Sequence, residues 1–128
     1  RDDMSGLPPI KTKEGKAKIR QYIEGQVEYY AKIMGITYGR ISMRNQKTRW
    51  GSCSSNGNLN FNNRLLFVPK ELIDYVVVHE LAHRKEMNHS NAFWNVVEKY
   101  MPDYKERRKK LREYHIKEEG IHNNHKLF

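Results

Sequence analysis

No unbroken apolar run in this sequence is longer than four residues, and Tyr75-Val76-Val77-Val78 is one such run. A helix that crosses a bilayer needs about 20 apolar residues, so a membrane-spanning helix is excluded. The run must instead find its apolar surroundings in a core. Leu72, Ile73, Val76 and Val77 recur at helical spacing, and Pro69 suits a first helical position. A helix from there to about Glu86 is expected. Its β-branched residues are indifferent helix formers, so packing has to hold it.

The chain has 128 residues, 38% of them hydrophobic and 30% charged. That length suits one domain burying roughly two-thirds of its unfolded surface. The lone cysteine, Cys53, excludes an internal disulfide framework and a cysteine-rich zinc ribbon. It reads as a small buried residue. Arg1–Gly6 contain no apolar stretch of the kind a signal peptide carries, so a cytoplasmic location is expected. Met4 is internal, as in a trimmed chain. The expected layout is a flexible segment over 1–12, with Pro8-Pro9, one domain over 13–120, and a polar tail over 121–128.

Within the domain, Ile19, Tyr22, Ile23, Val27, Tyr30, Ala31 and Met34 mark a helix over 13–34, closed by Gly35 in left-handed geometry. Ile41 and Met43, then Leu59 and Phe61, alternate with polar residues as strands do. Asn56-Gly57 reads as a two-residue hairpin turn. Ser90 can cap a helix running to Tyr100. Asp103 with Glu106 resembles a capping box opening a last helix that Gly120 would end. The order predicts an α+β fold: a helix, a small antiparallel sheet, then three helices.

The segment His79-Glu80-Leu81-Ala82-His83 carries the chemistry. Four residues along a helix are about 40° of rotation and about 6 Å of rise, so both imidazoles share a face and can share a zinc ion. Glu80 stands about 100° around from His79, beside such a metal. A water on zinc has its pKa lowered to about 7, and a carboxylate placed there can take its proton. A catalytic zinc wants a third protein ligand. His89 is expected to supply it, after a turn in which Asn88 adopts left-handed geometry, and Glu98 is the rival. His115, His122 and His125 read as surface residues.

Charge suggests other partners. Lys and Arg number 24 against 15 Asp and Glu, a net charge of +9. No acid occurs between Glu28 and Glu71, a stretch that includes Arg44, Lys47, Arg49 and Arg64. Such a stretch can attract phosphates. A nucleoside triphosphate pyrophosphatase using the same metal site is therefore a second reading. A nucleic-acid-binding module, or a nucleic-acid-associated protease, is a third, helped by Arg107–Arg112. Against the second stands the lack of a Gly-rich phosphate loop and of carboxylates clustered for magnesium.

Thr48-Arg49-Trp50-Gly51-Ser52-Cys53-Ser54, Asn62/Arg64/Leu65, Pro69, Ile73-Asp74-Tyr75, His79-Glu80-Leu81-Ala82-His83, Met87-Asn88-His89-Ser90 and Phe93-Trp94 resemble the YgjP-like family. That family is grouped with SprT-like and other zincin peptidases. The resemblance covers about residues 20–115 and implies a zincin fold, with His79, His83 and His89 as zinc ligands and Glu80 as catalytic base. It also implies an N-terminal, strand-rich region that has no counterpart in this sequence. The three-histidine spacing matches metzincins too, but Glu86 stands where their pattern needs Gly. On this reading a zinc metallopeptidase acts on a peptide or protein docked along the strand at 58–66. Arg49, Asn62 and Tyr75 are candidates to stabilise the oxyanion. Trp50 reads as core, and Asp74 as polar helix surface rather than a partner for a ligand histidine. The oligomeric state is left open.

Overall fold

The computed structural model describes residues 7–114. Helix α1 spans Lys13–Met34. Thr12 caps it by accepting from the Gly15 amide, and Gly35 closes it at φ 68°. Ile19, Ile23, Val27, Ala31 and Met34 form its buried stripe. Within residues 7–12, Leu7 and Ile10 pack against the body. Ile10 is buried and its backbone pairs twice with the Asn45 amide, while the Leu7 carbonyl accepts from Arg64 Nε.

Three strands follow: β1 (Ile41–Arg44), β2 (Gly51–Cys53) and β3 (Leu59–Asn62). The sheet is mixed, not antiparallel as expected. Its order is β1-β3-β2, with β1 parallel and β2 antiparallel to β3. The β2–β3 hairpin closes over Ser55, Asn56 and Gly57, with the Ser54 amide donating to the Asn58 carbonyl. It is therefore a three-residue loop, not the expected two-residue turn. Gly57 sits at φ 88°, and a Cβ there would lie 2.6 Å from Arg84 Cζ. The left-handed φ calls for glycine.

A 3-10 turn (Asn63–Phe67) leads into α2 (Lys70–Ala82), α3 (Asn91–Tyr100) and α4 (Tyr104–Leu111). Pro69 is the cap of α2, one position earlier than expected. In α2, Leu72, Ile73 and every residue from Tyr75 to Ala82 are buried. Trp50, Phe61, Leu65, Tyr75 and Phe93 are the bulk of the core around it. Ser90 caps α3 as expected. Asp103 forms no capping box; its carboxylate accepts from Arg107 Nε at 3.0 Å instead. The expected helix end at Gly120, the tail over 121–128, and His115, His122 and His125 lie outside the described residues.

Candidate metal centre

Helix α2 stops at Ala82, four residues short of the expected end. The Arg84 amide bonds to the Leu81 carbonyl, and the Lys85 and Glu86 amides both bond to that of Ala82. This tight turn reverses the chain without left-handed backbone. Among the described residues no non-glycine has positive φ, so Asn88 does not take the geometry expected of it. The reversal brings His89 back over the helix end. The ligand atoms of His79, His83 and His89 lie within 4.8 Å of one another. Glu98 is exposed on α3 and outside this cluster; the inward face of that helix belongs to Phe93 and Val97.

The three rings pack as one group, with centroids 5.1 Å apart for His79–His83 and His79–His89 and 4.8 Å for His83–His89. Phe93 forms their floor, at 5.0, 4.5 and 4.9 Å from the three centroids. Trp94 stacks on His89 at 5.9 Å. His83 Nδ1 donates to the Glu86 carbonyl at 3.1 Å, which fixes the tautomer and leaves Nε2 for a metal. Desolvation lowers the pKa of His83. His89 falls to about 4 through desolvation first, then through repulsion from His79 and His83. Both rings are therefore neutral donors near pH 7, as metal ligands must be. Three imidazoles converging at one point fit zinc, which takes three histidines and keeps one position open in catalytic sites.

Glu80 lies beside the cluster, 2% exposed, with Oε2 3.2 Å from His79 Nδ1. Gly51 of β2 faces it. A Cβ on Gly51 would lie 3.1 Å from Glu80 Cγ and 3.3 Å from Oε2. A glycine inside a strand is the sequence sign of such an approach, so its role was within reach of the sequence, though the partner was not. Gly51, Ser52 and Cys53 line the cleft over the three histidines, with Arg49 and Met87 at its margin. Burial, then the charge of Glu80, pushes the Cys53 thiol up to about 11. Cys53 is half-buried, lies outside the histidine cluster and holds its proton near pH 7.

Other candidates are placed elsewhere. Of the oxyanion candidates, only Arg49 lines the cleft. The Asn62 amide donates to the carbonyls of Gln46 and Arg49, at 2.9 and 2.8 Å. Tyr75 is fully buried in the core, its ring 5.8 Å from His79. Asp74 is tied to α1, accepting from Tyr22 and Gln26, and is not part of the histidine cluster. Arg64, expected among the phosphate-attracting cations, is 4% exposed and donates to the Leu7 and Gln46 carbonyls. Together Asn62 and Arg64 anchor the loop that carries Arg49, a role invisible in the sequence because both partners are backbone carbonyls.

Comparison with known proteins agrees with this geometry. The YgjP-like metallopeptidase domain model matches residues 12–114. The metallopeptidase zymogen of Pyrococcus abyssi abylysin is similar in structure: TM-score 0.66, 26% identity, 74% of this chain and 99% of that one covered. The metallopeptidase zymogen of Methanocaldococcus jannaschii jannalysin is similar at TM-score 0.61 and 25% identity, with 70% and 92% covered. No curated protein matches the sequence.

Proposed function

This chain belongs to the YgjP-like metallopeptidase family and is a zinc-dependent hydrolase; from that premise we propose that His79, His83 and His89 hold the ion, and that Glu80 is the general base for cleavage of a peptide bond. The observation that carries the reading is the convergence of three histidine donors within 4.8 Å beside a buried carboxylate. A metal held there supplies a Lewis acid that acidifies water and polarises a carbonyl. Glu80 takes the proton from the attacking water and delivers it to the leaving amine. Gly51 keeps space for that carboxylate, and the Glu86 carbonyl orients His83.

The peptide docks on β2, not on the strand at 58–66. That strand, β3, is central and has a neighbour on each side, whereas β2 is an edge. The Trp50 carbonyl and Ser54 amide pair inward with the β3 side of the hairpin. Pairing alternates along an antiparallel strand, so the backbone groups of Gly51 and Cys53 face the open edge above the histidines. An extended peptide added there gains main-chain hydrogen bonds in register with the metal.

The test pairs elemental analysis with a peptidase assay on the parent and a His79→Ala/His83→Ala variant. About one zinc per chain and peptide cleavage are expected for the parent, and neither for the variant. Zinc binding that survives the double substitution would refute the ligand assignment. Release of pyrophosphate from UTP without peptide cleavage would move the substrate to the nucleotide class.

A further inference from the structure

The acid-free cationic stretch is not gathered at the metal cleft, where Arg49 alone represents it. One of its cations, Arg44, meets Lys16 and Arg20 of α1 at a second cavity, of about 320 Å³, between α1 and β1. Its polar lining is Lys16 and Arg20 from α1, Arg44 and Asn45 from the end of β1, and Asn63 from the 3-10 turn. Among the described residues no carboxylate lines it. Strand β1 is the sheet edge opposite β2, so the sheet separates this cavity from the peptide-binding edge.

The cations are held but not used up. Arg20 Nε pairs with Glu24 at 2.8 Å and Nη2 donates to the Ile41 carbonyl at 2.9 Å, which fixes the guanidinium and leaves further N–H donors. Arg44 Nε donates to Asn60 Oδ1 at 3.1 Å, with the same result. Lys16 is exposed and forms no ion pair among the described residues. Asn45 has both ends of its amide on Ile10 and serves the wall only.

Asn63 is different. It is 3% exposed, and its Oδ1 is buried without a hydrogen-bond partner among the described residues. Buried polar groups are almost always paired, and an exception calls for an explanation such as a missing ligand. A half-turn of the amide exchanges donor and acceptor, so either a phosphate oxygen or a ligand hydroxyl can satisfy it.

We propose that this cavity binds a phosphorylated small molecule of nucleotide size, its phosphate held by Lys16, Arg20 and Arg44 and completed by the Asn63 amide. Two planar guanidinium groups and one ammonium match the oxygens of a phosphate monoester. A cavity of this volume is at the lower end of the small-molecule range, which suits a ligand larger than bare phosphate. The site is separate from the proposed chemistry and does not depend on it.

The test is titration of the zinc-loaded, 15N-labelled protein with AMP, followed by NMR, with adenosine as the uncharged control. Saturable shifts are expected at the Asn63 side-chain amide and at the backbone amides of Arg44 and Asn45, with no response to adenosine. A Lys16→Ala/Arg44→Ala variant alters exposed side chains only and should weaken AMP binding at least tenfold while peptide cleavage is unchanged. Raising the salt should weaken it further. The proposal is overturned if Asn63 does not respond, if shifts are confined to the metal cleft, if adenosine matches AMP, or if the variant binds equally well. It is also overturned if only a single-stranded oligonucleotide, and not AMP, shifts these signals.

Discussion

Helices α1 and α2 lie against each other yet are built on opposite plans. α1 buries one stripe, Ile19 to Met34, and turns its charged residues outward. α2 is buried all round from Tyr75 onward, and its last turns place His79, Glu80 and His83 inside the protein at 1, 2 and 8% exposure. An amphipathic helix needs nothing beyond apolar contact on one side. A helix buried all round must give every polar side chain a partner, because buried charge without one is strongly unfavourable. The contrast shows where this molecule has been shaped for function: in α2 the polar groups occupy interior positions that apolar residues would fill more stably.

Replacing Glu80 should therefore separate activity from stability most widely. Glu80→Gln keeps the shape and removes the charge proposed to take up the proton. Peptide turnover should fall by about 10² to 10⁴-fold, the usual worth of a general base, with zinc content unchanged. Thermal stability should hold or rise, since a buried carboxylate is lost. A variant that remains active, or loses its zinc, would contradict the division between the two helices.

The opposite outcome is expected on α1. Ile23 is fully buried in its stripe. Ile23→Ala should lower stability by about 2–5 kcal/mol, measured by denaturant unfolding, with kcat per folded molecule unchanged. A large fall in kcat would mean that α1 positions the metal centre and does more than support it.

Gly51→Ala probes the line between the two plans, because Gly51 is itself packing and site at once. The added methyl must push back Glu80 Cγ and the Asn60 carbonyl, each 3.1 Å from the new carbon, by a few tenths of an ångström. Turnover should drop about tenfold, since small misplacements of a catalytic group are expensive. KM and zinc content should stay near the parent values. Equal losses in activity and stability would mean that the strand, not the carboxylate, gives way.

The two helices also differ in how much of them the sequence reveals. The stripe of α1 and its Gly35 stop are periodic, local signals, and they were readable. So was the placing of His79 and His83 on one face, because their spacing is fixed by helix geometry. The turn that delivers His89 was not. It depends on amides at Arg84, Lys85 and Glu86 finding the carbonyls of Leu81 and Ala82, and any residue type can do that. The sheet misled for a related reason. Asn56-Gly57 correctly marked the β2–β3 hairpin, but nothing local says that β1, earlier in the chain, joins the far side of β3 in parallel. Arg64 looked like one more surface cation. Only the three-dimensional structure shows its guanidinium directed at the Leu7 and Gln46 carbonyls.

The smallest effect expected lies at the contact between the helices. Asp74, on the α1-facing side of α2, accepts from Tyr22 Oη at 2.7 Å and Gln26 Nε2 at 3.0 Å. Burial, then the hydrogen bond to Asp74, raises the pKa of Tyr22, so that phenol is a donor at pH 7. Asp74→Asn keeps an acceptor oxygen but loses the charge that strengthens both bonds. The loss should be about 1 kcal/mol, read from the denaturant midpoint at pH 7. Peptide turnover and zinc content should not move, because Asp74 holds α2 to α1 and lies outside the histidine cluster. A fall in turnover without a fall in stability would show instead that the polar seam sets the rotation of α2, and with it the aim of His79 and Glu80, one to two turns further along the helix.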